Sequence, residues 1–282
     1  MATALSFDRL GAALPASPVV VSVPHGGRDY PAAMRLLLAL PAEALTPLED
    51  RHIDTLARAA WHGETMLLQR TARAWIDLNR SEAERDPAID AGADPRRLGA
   101  PSARVRAGLG LVPRRLRGRE IWRGRLSAGA VDSRIAADHL PYHQALAAAL
   151  AAARARFGVA VLLDLNSMPP LGERGAVARL VFGDRFGRTS AARFVARLEA
   201  VADAAGIAHA LNTPYAGGHI LERHGAPPRG VHAVQLEIDR ALYLDGALAE
   251  PGPGMAATAT LLRAMIAALA DEALGSLATA AE

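Results

Sequence analysis

The sequence predicts a three-layer α/β fold, in which helices cover both faces of a mostly parallel or mixed sheet. Segments typical of buried strands alternate with segments of helical spacing along most of the chain. The apolar run from Val159 to Leu165 follows a long predicted helix through Gly158, as a strand of a parallel sheet does. No internal repeat or linker interrupts this pattern, so we expect a single domain over residues 1–282.

The other predicted strands are short runs rich in β-branched or other apolar residues. The first of them ends at Pro24-His25-Gly26-Gly27, where a loop should begin. In chain order these strands are Pro18–Val23, Thr65–Gln69, Ala74–Leu78, Val177–Phe182 and Val231–Ile238.

The predicted helices are longer segments in which apolar residues recur at helical spacing. Asp50–His62 places Ile53, Leu56, Ala57 and Ala60 on one face. Ser133–Phe157 has the strongest pattern, although we expect Pro141 to interrupt or kink it. The remaining helices are Thr189–Ala205 and Met255–Leu269. Between the first two helices, Arg80–Leu126 is rich in Arg, Gly and Pro, and it predicts a long irregular excursion of functional importance.

The composition excludes several kinds of site. The chain contains no Cys and no Lys, so all 32 basic residues are Arg. Disulfides, thiolate zinc sites, a Cys nucleophile, a Schiff-base Lys and a P-loop Lys are therefore absent. With 51% hydrophobic residues in 282, the chain can bury a substantial core.

The charge and hydropathy patterns argue against a nucleic-acid or membrane protein, and the basic cluster is better explained as a solvated loop or as Arg on the substrate side. The formal net charge is only +3, and the basic cluster Arg114–Arg125 contains Trp122 as its one aromatic residue. No apolar run reaches the roughly 18 residues that a membrane span requires. Because Asp8 precedes any basic residue, the start of the chain differs from a secretory signal, and we expect a cytoplasmic protein. The oligomeric state stays open.

Polar residues follow three of the predicted strands at their carboxyl ends: His25, the segment Asp164–Ser167, and Glu237. In open parallel sheets ligands bind at this edge. The architecture should therefore bring these distant residues together in an active site.

Four candidate residues, among them Asp50 at a predicted helix start and Arg80 after a predicted strand, each have a functional and a structural interpretation. His25 is a candidate metal ligand or acid–base group, or it only terminates a strand. Asp50 is a candidate metal ligand, or an acid favoured at a helix start. Arg80 can bind a carboxylate, or it pairs with Asp77. Glu237 suits a general base because a poorly solvated carboxyl has a raised pKa, or it pairs with Arg240.

Two other catalytic patterns are disfavoured. Ser167 does not lie in a G-x-S-x-G motif, so a serine hydrolase of that type is unsupported. His139 and His143 have the spacing of two ligands on one helix face, but Pro141 lies between them. We therefore expect no metal site there.

The chain resembles the N-formylglutamate amidohydrolase family from about Val19 to Asp245. Seven collinear segments carry the resemblance, which makes it far more specific than any single motif. They are VSVPHGGRDYP, EDRHID, AWIDLNR, PYH, LLDLNSMPP, FGDRFGRTS, and NTPYAGGHILERHG followed by GVHAVQLEIDRALYLD.

The resemblance implies a phosphorylase/hydrolase-like fold similar to that of zinc carboxypeptidases and aspartoacylases. It also implies one Zn²⁺ per chain, with His25 and Asp50 as ligands and Glu237 activating the water. Arg80, Arg185 and Arg240, together with Asn79, are the implied binders of a small acidic substrate; Arg80 is also a candidate catalytic group. The implied reaction is release of formate from N-formylglutamate or cleavage of a similar N-acyl amino acid.

One position departs from the family pattern. Asn166 stands where the family commonly has the His that would be the third metal ligand. An amide oxygen is a weak zinc ligand, so three outcomes stay open. In the first, the metal is held weakly, with Asn166 or water as its third ligand. In the second, His219 or His224 takes the place of the missing His ligand. In the third, the protein has lost the metal and is an inert binding protein.

Overall fold

The computed structural model describes residues 5–172 and 177–279. Nine strands are present in these ranges. Seven of them form one sheet and two form a separate short hairpin. The strands are β1 Phe7–Leu10, β2 Val19–Val23, β3 Thr65–Gln69, β4 Arg115–Leu116, β5 Arg119–Glu120, β6 Ala160–Met168, β7 Leu180–Gly183, β8 His209–Leu211 and β9 Val231–Asp239.

The large sheet is mixed, with the order β1-β3-β2-β6-β9-β7-β8. Its four central strands, β3, β2, β6 and β9, are parallel to one another. Strand β1 is antiparallel to β3, and β7 is antiparallel to β9 and parallel to β8. The predicted fold class is confirmed, since this sheet has helices on both faces.

Helices flank the sheet and its connections. They are α1 Ala32–Leu37, α2 Ile53–Ala60, α3 Pro95–Leu98, α4 Ala103–Arg106, α5 Ala128–Arg134, α6 Leu140–Phe157, α7 Ala192–Ala204, α8 His219–His224 and α9 Met255–Thr279. Short 3-10 turns lie at Ala42–Leu48, Pro227–Arg229 and Arg240–Leu242. None of the helices in the described ranges combines the length and the apolar character that a membrane crossing needs.

Alternate residues of the central strands point to opposite faces, as the period of a strand requires. Val21, Leu163 and Leu236 pack in one core with α2, α7 and α9. Val20 and Leu162 face the other way, into a second core with α6 and α8. Both faces are therefore covered, which explains why these strands are almost continuously apolar.

A third core lies beneath the segment 80–126. Ile89, Ile121 and Trp122 are buried there against Met34 and Leu38 from the region around α1. The segment contains α3, α4 and the β4–β5 hairpin, so it is more ordered than the irregular excursion predicted from its composition. Its packing gives it a defined position beside the sheet.

The predicted strand Ala74–Leu78 is wrong. This segment forms turns, and its backbone bonds to other loops, with the Asp77 amide donating to the Leu111 carbonyl at 2.8 Å. The edge of β3 that it would have joined is occupied by β1. Ile76 and Leu78 are apolar because they pack in the core beside α6.

The predicted interruption of the long helix at Pro141 is absent, because helical structure is continuous from Ala128 to Phe157. A π-helical turn covers Ile135–His139, and Pro141 lies in the first turn of α6, where a missing amide hydrogen is tolerated. The predicted strand over Val177–Phe182 begins at Leu180; residues 173–176, just before it, lie outside the described ranges.

Candidate active site

Strand register places the candidate polar residues in two rows on the sheet face that also carries Val20 and Leu162. Asp164 of β6 lies beside Ser22 of β2 and Gln235 of β9. Two residues further along, Asn166 lies beside Glu237. Because neighbouring residues of paired strands point to the same side, these side chains lie on one side of the sheet.

A cavity of about 730 Å³ opens at this edge of the sheet. The volume suits a small-molecule ligand. Residues from the segment 80–126 and from the loop before α8 complete its walls. The sequence-predicted site residues that line it are His25, Asp50, Asn79, Arg80, Asn166, Arg185, Glu237 and Arg240.

His25 follows β2 and is buried. Its Nε2 lies 2.8 Å from Asp77 Oδ1, and its Nδ1 lies 3.7 Å from Asp50 Oδ2. Burial by itself lowers the pKa of His25, but the Asp77 and Asp50 carboxylates outweigh that effect and raise it. Gly27 allows this loop to pass its neighbours, since a Cβ there would meet the Thr71 carbonyl oxygen at 2.3 Å.

Asp77 is a site residue that sequence reasoning considered only as a partner of Arg80. It is fully buried and also accepts from the Asn79 amide at 2.9 Å and from Arg73 Nε at 2.9 Å. Burial favours the neutral form, but the cations of Arg73 and Arg80 hold the pKa of Asp77 well below its usual value. A carboxylate that bonds one imidazole nitrogen orients the ring and leaves the other nitrogen for a ligand.

Asp50 is held from two sides. Its Oδ2 accepts from the Ser167 amide at 3.0 Å, and its Oδ1 accepts from the Arg240 guanidinium at 3.1 Å. Despite burial, His25 and Arg240 lower the pKa of Asp50. Arg240 thus pairs with Asp50 and not with Glu237. It lies in the 3-10 turn beyond the end of β9, whereas Glu237 lies within the strand.

Glu237 has a different partner and a different charge preference. Its Oε1 accepts from Gln235 Nε2 at 2.9 Å on the same face of β9. Burial is the main reason that its pKa lies well above the usual value, and the nearby Asp50 carboxylate raises it further. Such a carboxyl can take and return a proton near neutral pH.

Asn166 turns its amide nitrogen toward Asp164, donating to Oδ2 at 3.0 Å. Burial raises the pKa of Asp164 to about 6. The amide oxygen is thus the atom of Asn166 that remains for coordination.

His25 and Asp50 offer two strong ligands for one divalent ion, and the Asn166 amide oxygen offers a weak one. Zinc ligands at about 2.1 Å in a tetrahedral arrangement lie roughly 3.4 Å apart. The 3.7 Å between His25 Nδ1 and Asp50 Oδ2 is close to that separation. The Asn166 amide oxygen is a poorer zinc ligand than the imidazole expected at that position.

The predicted substrate-binding side chains already have protein partners. Arg80 donates to the carbonyls of Leu109 and Asn79, while Arg185 pairs with Glu222. The Asn79 Oδ1 accepts from the Ile220 amide, which ties this loop to α8.

Arg104 is a cavity residue that sequence reasoning missed. It is exposed on α4 and lines the cavity. Within the described ranges, its side chain has no hydrogen bond or ion pair. Its sequence context, one Arg among many in an Arg-rich segment, contains no signal that would have singled it out.

Pro141 does not keep the side chains of His139 and His143 apart, contrary to the expectation from sequence. The rings of His139 and His143 lie 4.4 Å apart between centroids, although Pro141 separates them in sequence. His219 lines the cavity and clusters with these two residues, and His224 bonds to His143. Within the described ranges, neither His219 nor His224 bonds or ion-pairs with His25 or Asp50.

Comparisons with known proteins identify the family of this chain. A sequence model of the N-formylglutamate amidohydrolase family matches residues 17–244. N-formylglutamate deformylases of Pseudomonas aeruginosa and Pseudomonas putida are 33% and 30% identical over 237 residues, covering 81% of this chain and 82% of each relative. The crystal structure of N-formylglutamate amidohydrolase from Ralstonia eutropha superimposes with a TM-score of 0.88 at 30% identity, covering 97% of this chain and all of that one. The chain belongs to the N-formylglutamate amidohydrolase family.

Proposed function

We propose that this protein is a metal-dependent amidohydrolase that releases formate from N-formylglutamate or a similar N-acyl amino acid. The observation that carries the proposal is the position of Glu237, a buried carboxyl with a raised pKa, beside the Asn166 position and across from Asp50. The names of the Pseudomonas and Ralstonia relatives support the choice of substrate.

The candidate ligands of the metal are His25 Nδ1, Asp50 and the Asn166 amide oxygen. A bound Zn²⁺ would supply Lewis-acid polarisation of the water and of the amide carbonyl. Asp77 keeps the His25 ring oriented, and Arg240 with the Ser167 amide keeps the Asp50 carboxylate in place.

Glu237 moves the proton in this mechanism. It accepts a proton from the attacking water while the water oxygen bonds to the formyl carbon. The carbon–nitrogen bond then breaks, and Glu237 returns the proton to the leaving amine, so that formate and glutamate result. The Gln235 amide bonds one carboxyl oxygen and leaves the other to face the substrate.

Arg104 is our candidate for binding a substrate carboxylate. It is a cation on the cavity wall without a partner among the described residues, whereas Arg80, Arg185 and Arg240 are already bonded to the protein. Guanidinium groups match carboxylates in geometry and charge.

The test is formate release from N-formylglutamate by Glu237→Gln protein loaded with Zn²⁺. The amide keeps the shape of the carboxyl but cannot accept the proton, so we expect turnover to fall at least about 100-fold. Glu199→Gln, on α7 and away from the cavity, is the matched control and should keep full activity. Full activity of Glu237→Gln would disprove the mechanism.

The second candidate is a catalytically inert protein that binds N-acyl amino acids. It is favoured by Asn166, whose amide nitrogen is bonded to Asp164 and whose oxygen is a weak ligand. Thermal stabilisation by N-formylglutamate without formate release, even with added Zn²⁺, would support this candidate.

A further inference from the structure

A cluster of three histidines lies beside the cavity and outside the candidate catalytic site. His139 ends the π-helical turn, His143 lies one turn further in α6, and His219 begins α8. One nitrogen of each ring lies within 4.8 Å of the corresponding nitrogens of the other two. Neither His139 nor His143 is exposed to any appreciable extent.

Hydrogen bonds to backbone carbonyls determine which nitrogens carry lone pairs. His139 Nε2 lies 2.8 Å from the Arg80 carbonyl oxygen, and His143 Nε2 lies 2.9 Å from that of Leu78. A carbonyl only accepts, so each Nε2 carries the hydrogen and each Nδ1 carries a lone pair. Carbonyl bonds of this kind orient metal-binding imidazoles in many proteins.

Two nitrogens of the cluster have no hydrogen-bond partner. His139 Nδ1 and His219 Nε2 are buried and unpaired among the described residues. A buried polar atom without a partner is destabilising, so two in one cluster are available to bind a ligand. The third ring is already bonded: His143 Nδ1 accepts a hydrogen bond from His224 Nε2 at 2.9 Å.

A carboxylate lies next to both unpaired nitrogens. Glu82 Oε1 lies 3.5 Å from His139 Nδ1, and Glu82 Oε2 lies 4.0 Å from His219 Nε2. These separations resemble those between two ligands of one ion, which are roughly 3.4 Å for tetrahedral zinc. The Arg223 guanidinium also pairs with Glu82, at 2.7 Å. Its positive charge disfavours the binding of a metal ion directly at that carboxylate.

We propose that His139, His143 and His219 form a second metal site, selective for zinc-class transition ions, with Glu82 as the adjacent carboxylate. Three imidazoles favour Zn²⁺, Co²⁺ and similar ions over Mg²⁺ or Ca²⁺, which prefer oxygen ligands. On binding, His143 Nδ1 exchanges its bond to His224 for the ion. The site shares no residue with His25 and Asp50, so it does not depend on the proposed hydrolase chemistry.

The site would connect two walls of the cavity. Through His139 and His143 the ion is linked to the backbone of Leu78 and Arg80, and through His219 it is linked to the start of α8. We therefore expect metal binding to raise the melting temperature even in a variant that lacks the catalytic ligands.

The experiment is a Co²⁺ titration of the full chain after removal of metal by chelation, followed by calorimetry and visible absorption. We expect wild-type protein to bind one Co²⁺ at each site, and His219→Phe to weaken one of them by more than about 100-fold. His219→Phe keeps a ring of similar size, and a parallel unfolding curve verifies that it folds. His224→Leu, which removes only the competing hydrogen bond, should retain both ions.

Asp50→Asn separates the two sites. Loss of one ion in Asp50→Asn and of the other in His219→Phe would establish two independent sites. A single ion lost in His219→Phe but kept in Asp50→Asn would support the histidine site and argue against the proposed catalytic metal. Unchanged Co²⁺ stoichiometry and affinity in His219→Phe would overturn the histidine site.

Discussion

The bond between Asp77 and His25 can be tested by Asp77→Asn, which keeps the shape of the side chain and removes its charge. The Asn oxygen can still accept from His25 Nε2, but its NH₂ group would face Arg73, whose guanidinium now donates to the carboxylate at 2.8 and 2.9 Å. The imidazole therefore loses a charged partner, and Arg73 loses its counterion.

Two magnitudes follow from this geometry. Breaking a buried ion pair costs about 3–5 kcal/mol, and we expect about 3 because the Arg73 side chain is 21% exposed to the cavity. Loss of a carboxylate behind a metal-binding His typically lowers metal affinity or activity 10–100-fold. As Asp77 positions His25 and does not touch substrate, kcat should fall with little change in KM.

The assays are urea unfolding, Zn²⁺ affinity by chelator competition, and formate release under conditions where both proteins are folded. Asp8→Asn is the matched control, because Asp8 also pairs with two arginines, Arg58 and Arg70, but on the partly exposed edge strand. It should cost less than about 1 kcal/mol and leave kcat unchanged. Wild-type kcat and Zn²⁺ affinity in folded Asp77→Asn would refute the role assigned to this carboxylate.

Asn166→His should tighten Zn²⁺ binding at the His25 site at least about tenfold, since imidazole is a stronger zinc ligand than an amide; unchanged affinity in a chelator competition would contradict it. Arg104→Met should raise KM for N-formylglutamate about tenfold with kcat unchanged, whereas Arg106→Met, which removes a bond to a loop carbonyl only, should alter neither. His232 accepts from the Ala191 amide, and burial lowers its pKa to about 4. The unfolded chain takes up this proton near pH 6.5 and the native state does not, so stability is full above pH 6.5 and falls as the pH drops toward 4. His232→Asn keeps an acceptor and should reduce that fall in urea unfolding at pH 7 and 5; an unreduced fall would exclude His232 as its source.

The strand pattern explains why much of the fold and the edge of the site could be predicted from sequence. Buried parallel strands leave long apolar runs, and the residues that follow them must meet at one edge of the sheet. His25, Asp164 and Glu237 were found in this way, because each is a polar residue at the end of such a run. That reasoning uses only the local sequence and the direction of the strands.

Strand pairing at the sheet edge required the tertiary structure. Ala74–Leu78 has the composition of a strand, but the edge of β3 that it would join is paired with β1. Apolar residues are buried equally well in a turn beneath a helix as in a strand, so composition alone does not distinguish the two.

Side-chain partners were likewise decided by the fold. Arg240 is near Glu237 in sequence, yet the strand ends between them, and Arg240 reaches Asp50 instead. His219 meets His139 only because α8 packs beside the start of α6. The sequence determined which chemical groups reach the carboxyl edge of the sheet, since that depends on local periodicity. Only the tertiary structure determined which of them touch, because hydrogen bonds and ion pairs depend on ångström-scale distances between segments far apart in the chain.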